Sequence, residues 1–92
     1  MNTEFMISRI VEMVGVDKQA RFDTGVEVKL SPHYHLCTIY DVAVDQNKGV
    51  WLRVGDGSWQ DLKANQVRAN LVASSVLQRL KLMEAEKKKV NT

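Results

Sequence analysis

The 92 residues make one small domain with room for a single hydrophobic core. Apolar residues are 45% of the chain and charged residues 26%, a globular balance that argues against extended disorder. No apolar run approaches the roughly 20 residues that a membrane-spanning helix requires. The formal net charge of +2 hides an asymmetry: residues 1–23 carry −1, residues 24–62 carry −2 and residues 63–92 carry +5, so a mildly acidic body precedes a basic C-terminal segment.

The first element reads as a helix over residues 4–14. Met6, Ile10, Met13 and Val14 recur at three- and four-residue spacing beside Ile7 and Val11, and Glu4, Ser8, Arg9 and Glu12 fall on the other side. Thr3 is the expected N-cap and Gly15 the expected stop. The same N-terminal stretch puts Glu4 ahead of any basic residue and lacks a long apolar segment followed by small residues, so it is not expected to be a secretory signal. Residues 17–23 read as a polar connector holding at most a short strand around Phe22.

Four strands are expected next. Val26, Val28 and Leu30 alternate with Glu27 and Lys29, the pattern of a half-buried strand. Residues 31–35, with Pro32, break it, and a longer strand follows over 36–45, a third over 50–54 and a short fourth over 59–62. A three-residue loop closing Asp45 against Gly49 places Val44 opposite Val50, Val42 opposite Leu52, Tyr40 opposite Val54 and Asp41 opposite Arg53. An Asp56-Gly57 type I′ turn adds Trp59 opposite Val54, and a five-residue first loop adds Leu30 opposite Leu36 and Val26 opposite Tyr40. All three turns then select one apolar face, built from even-numbered side chains from Val26 through Val54 and joined by Trp59, and a one-residue slip would invert a strand.

The last element reads as a long helix over residues 65–88, capped by Asn65, with a stripe of Ala69, Val72, Ala73, Val76, Leu77, Leu80 and Met83. It outreaches the sheet, so residues 84–92 are expected to form a projecting or frayed tail of the single domain 1–92. The expected fold class is α+β in the order α-β-β-β-β-α: a twisted antiparallel meander, with an SH3-like roll as its nearest architecture, packed by the two helices.

Three groups of residues carry candidate chemistry. His33, His35 and Cys37 alternate along a strand, so their imidazoles and thiolate could meet one zinc ion. No second pair of ligands completes that set, and solvent-facing histidines with an inert thiol are the plainer account. Cys37 and His35 are also a poor nucleophile–base pair, because residues two apart on a strand lie about 6.6 Å apart and point in parallel. No phosphate-binding Gly loop precedes a helix. Catalytic residues are therefore not expected, nor is a cofactor, and the chain reads as a non-enzyme. The lone cysteine cannot form an internal disulfide and suits a reducing cytoplasm.

The second candidate is the second sheet face, where Ile39, Trp51, Arg53 and Leu62 resemble in composition the centre of a protein-binding surface. Either that face is open, or Phe22 or a helix covers it and Trp51 belongs to a second small core. Leu71 and Leu82, off the main stripe of the long helix, extend the candidate protein-binding set. The third group is Arg79, Lys81, Lys87, Lys88 and Lys89, which could contact nucleic-acid phosphates, although Glu84 and Glu86 interrupt them and no stacking aromatics accompany them. The function expected from these residues is a small cytoplasmic protein-interaction module, with self-association to a homodimer as one form. A nucleic-acid-associated protein is the alternative and a metal site the second alternative.

Overall fold

The computed structural model describes residues 2–29, 36–64 and 68–90. The elements follow in the expected order: α1 (Thr3–Val14), β1 (Lys18–Lys29), β2 (Leu36–Val44), β3 (Val50–Val54), β4 (Trp59–Asp61), one 3₁₀ turn (Leu62–Ala64) and α2 (Ala69–Val90). The strands form one open antiparallel sheet in the order β1-β2-β3-β4, consistent with an SH3-like meander. Both helices pack on the same face of it, α2 against β1 and α1 across β1 to β3.

α1 buries Met6, Ile7 and Ile10. Its N-cap is Asn2, not Thr3: the Asn2 side chain accepts from the Phe5 amide at 2.7 Å, and Thr3 is already helical. On α2 the expected stripe is buried through Ala69, Val72, Ala73, Val76, Leu77 and Leu80, and Met83 packs at its margin. The helix begins at Ala69, later than expected, and the proposed cap Asn65 lies outside the described residues. Its 22 residues span about 33 Å, against a longest molecular dimension of 44 Å. It runs to Val90, and Glu84 and Lys87 line a groove beside Arg9, Glu12 and Met13 of α1.

The β2–β3 hairpin has the expected register, with Val44 opposite Val50, Val42 opposite Leu52 and Asp41 opposite Arg53. Asp45 and Gly49 close a three-residue loop through Asp45 N–H to the Gly49 carbonyl at 2.9 Å. The left-handed position in that loop is Lys48, at φ 65°, not a glycine. Gly49 is required for a different reason, since a Cβ there would meet Asp45 Oδ2 at 2.7 Å.

Four expected pairings fail by a single residue each: Tyr40–Val54, Val26–Tyr40, Trp59–Val54 and Leu30–Leu36. Tyr40 is bulged out of the ladder, so Ile39 pairs with Val54 and with Val26. A bulge places two successive side chains on one side of the strand. Tyr40 therefore joins Asp41 on the face away from the helices, and Ile39 turns into the core at 0% exposure. The β3–β4 connection is a three-residue loop with Gly57 left-handed at φ 88°, closed by Val54 N–H to the Ser58 carbonyl at 2.9 Å. Asp56 favours this loop over the two-residue turn, because its carboxylate accepts from the Ser58 amide and hydroxyl. Trp59 consequently stands opposite Arg53, not Val54, and is exposed. Leu36 pairs with Lys29, not Leu30, and also faces out; Leu30 and Pro32 lie outside the described residues.

β1 is longer than its sequence pattern suggests. It starts at Lys18 and carries a large irregularity between Arg21 and Val26, where four residues lie opposite the single Tyr40. Phe22, inside that irregularity, is 2% exposed and packs in the core. Gly25 makes the close passage possible, since a Cβ there would sit 2.5 Å from Thr38 Cγ2 at φ +74°. The core is thus one cluster: Ile10, Phe22, Ile39, Val42, Leu52, Leu62, Val72 and Val76 at its centre, with Val28, Val44, Val50 and Val54 of the strands around them.

Candidate interaction surface

The sheet face opposite the helices is built by β2 to β4. The pleat puts alternate residues of each strand there, and the Tyr40 bulge and the Gly57 loop add Tyr40 and Trp59 to Trp51 and Arg53. Leu36, Tyr40, Trp51 and Trp59 are exposed at 64%, 38%, 36% and 40%. Phe22 packs on the other side of the sheet with both helices, so neither forms a second core over Trp51.

Two acids organise this face. Asp41 is buried, and its carboxylate holds Arg53 through Nε and Nη2 while accepting from Gln19 Nε2 at 3.1 Å. The guanidinium so fixed lies 5.5 Å from the centre of the Tyr40 ring, within range of a cation–π contact. Asp45 takes the Trp51 indole N–H at 2.9 Å and the amides of Asn47 and Gly49 at 2.8 Å each. The indole bond first, then the Gly49 amide, holds its carboxyl below the usual 3.8. Trp51 packs beside the small Ala43, directly opposite it on β2, and across from Asp61 on β4. A recess of about 310 Å³ opens at this end, walled by Asp17, Gln19, Asp45 and Trp51. The result is an aromatic surface with one fixed cation and carboxylates around Trp51.

Of the residues read as protein-binding, Trp51 and Arg53 are brought together here. Ile39 and Leu62 are not, because both are fully buried in the core: the bulge turns Ile39 inward, and Leu62 leaves the strand for the 3₁₀ turn. Leu71 and Leu82 are exposed on α2, away from this face. Tyr40, Trp59 and Leu36 belong to the surface and were missed because the expected register assigned all three to the core face.

The basic group does not assemble as one phosphate-binding set. Arg79 is half-buried and donates to Thr24 Oγ1, whereas Lys81 and Lys87 are exposed. The side chains of Lys88 and Lys89 lie outside the described set. His33 and His35 are likewise outside the described residues, and Cys37 packs half-buried against the core. Among the described residues no three His, Cys, Asp or Glu side chains come together to hold a metal, and no helix is long and apolar enough to cross a membrane. Comparisons of the chain with known protein families, with curated proteins and with solved structures return no match.

Proposed function

We propose that the chain is a non-enzymatic protein-interaction domain that docks a partner on the outer face of its sheet. One observation carries the reading: Tyr40, Trp51, Trp59 and Leu36 are exposed together on the face that neither helix covers. Contiguous exposed aromatics beside an arginine are the residue types that dominate protein–protein contacts. The polar groups there are engaged with one another, Asp41 with Arg53 and Gln19, Asp45 with Trp51, which suits a pre-organised contact surface better than a reacting site. The partner presents apolar side chains to the aromatics and a cationic group to the carboxylates of Asp45 and Asp61. Those carboxylates disfavour a nucleic-acid phosphate on the same face. The single thiol supports placing the domain in a reducing cytoplasm.

The test is affinity capture from the native extract with the wild-type chain and with Trp51→Ala/Trp59→Ala, both checked for folding by circular dichroism. A specific protein retained in stoichiometric amount by the wild type and lost from the folded double variant supports the reading. Identical retained sets, or loss of several kcal/mol of folding stability from Trp51→Ala alone, would overturn it. Light scattering on the purified chain shows whether the partner is a second copy.

A further inference from the structure

The outer side of α2 is a separate surface. Leu71, Ser75, Gln78 and Leu82 follow one another at four-, three- and four-residue steps. Around the helix they fall within about 60° of one another, on the side away from the stripe buried in the core. Leu71 and Leu82 are 57% and 51% exposed, Gln78 between them is exposed, and no described element covers the two leucines. Alternating steps of four and three are those of the seam between two coiled helices, where each side chain enters a hole on the facing helix.

This stripe is symmetric about the midpoint between Val76 and Leu77. Turned end for end, the same helix sets Leu82 opposite Leu71 and Gln78 opposite Ser75. Two α2 helices paired antiparallel therefore have an apolar layer at each end and two polar layers at the centre. The Gln side chain both donates and accepts, so it can bond the Ser hydroxyl across each central layer. A polar pair inside a helix seam costs stability and fixes register. A slip of one helical turn would set a leucine against Gln78 or Ser75 and leave the other leucine without its partner.

Charge selects the antiparallel orientation. Arg68 directly precedes α2, and its carbonyl accepts from the Val72 amide, so it continues the helical turn. Arg68 and Glu86 lie on the same flank of the stripe, and turning one helix end for end brings like flanks together. Arg68 of one helix then stands beside Glu86 of the other, with the small Ala85 leaving room. Glu86 is exposed, and Arg68 holds the Lys29 carbonyl only at 3.5 Å, the weak limit of a hydrogen bond. Arg79 on that flank is drawn back to Thr24. A parallel pair would set Arg68 against Arg68 and gather Lys81 and Lys87 of both copies at one end. The antiparallel pair separates the basic ends and opposes the helix dipoles.

We propose that α2 is a homodimerisation helix. Two copies of the chain pair antiparallel through Leu71, Ser75, Gln78 and Leu82, with Arg68 of each copy on Glu86 of the other. The contact is isologous and closes on itself. It lies on the helix side of the sheet, so the face that carries Trp51 stays open for its own partner.

The test is sedimentation equilibrium of the full chain from micromolar to millimolar concentration. A monomer–dimer equilibrium is expected, weakened about tenfold or more by Leu71→Glu or Leu82→Glu, since each change acts twice in a symmetric contact. Both leucines are exposed, so these variants keep the circular dichroism and melting temperature of the wild type. Arg68→Glu and Glu86→Arg should each weaken the dimer, and the two combined should restore it, because every charge again meets its complement. Trp51→Ala/Trp59→Ala should dimerise as the wild type does. The proposal is overturned by a monomer at millimolar chain, or by a dimer that Leu71→Glu and Leu82→Glu leave intact. It is also overturned by a double charge exchange no better than its single parents, which would mean a parallel or shifted pairing. Loss of the dimer in Trp51→Ala/Trp59→Ala would overturn it too, by placing self-association on the outer face of the sheet.

Discussion

The indole N–H of Trp51 donates to the carboxylate of Asp45, the residue that also closes the β2–β3 turn, so the exposed aromatic and the hairpin register share one anchor. These bonds favour the ionised acid and hold its pKa below 3.8 in the folded chain, whereas the unfolded chain titrates near that value. The stabilisation is therefore complete above pH 3.8 and fades as pH falls through the lower folded value. In a Trp59→Phe background, Trp51 emission should shift to the red over that acid range. Asp45→Ala should show the shifted emission already at neutral pH and no acid transition in it.

Arg53→Leu should be one of the more damaging changes on the sheet, because it leaves the buried Asp41 carboxylate with only Gln19. A loss of about 2–4 kcal/mol is expected, below the upper range for fully buried pairs because a third of the Arg53 side chain is exposed. Asp41→Leu combined with Arg53→Leu should cost less than Arg53→Leu alone, since no orphaned charge remains. Urea denaturation of the three variants decides this.

Ile39 and Tyr40 test the bulge directly. Ile39→Ala should cost about 2–5 kcal/mol, the range for emptying a filled core position. Tyr40→Ala removes an exposed ring and one contact with Arg53, and should cost about 1 kcal/mol or less. If the two values exchange order in thermal or urea melts, the ladder is continuous at Tyr40 and the exposed aromatic surface is one residue smaller.

The turn at residues 46–48 offers a stabilising change. Lys48 sits at φ 65°, where a side chain costs roughly 1 kcal/mol, so Lys48→Gly should raise stability by about 0.5–1 kcal/mol. Gly49→Ala next to it should destabilise, since its Cβ would press on the Asp45 carboxylate and loosen the Trp51 bond. Melting temperature together with Trp51 emission distinguishes the two effects.

The element order, the even-numbered core of β3 and the Asp41–Arg53 pair were legible because each rests on strict alternation around a turn whose length is dictated by Asp45 and Gly49. Tyr40 was not, because Ile39 beside it is equally apolar and either one can face the core. Trp59 was lost to a similar ambiguity, since Asp56-Gly57 suits a two-residue turn as well as the longer loop that Ser58 completes through Asp56. The early part of β1 has only Ala20 and Phe22 as apolar residues between Lys18 and Thr24, too little alternation to announce a strand. At the candidate surface these slips act in opposite directions: they hid Tyr40 and Trp59, and they placed on the outer face Ile39 and Leu62, which the core holds.

The dependence of the core on Val72, Val76 and Leu80 has a consequence for biosynthesis. Until these residues dock, the sheet has only α1 on its apolar side. Closure of the domain therefore waits for the final helix, and until then the nascent chain is a natural client for chaperones that hold exposed strands apart.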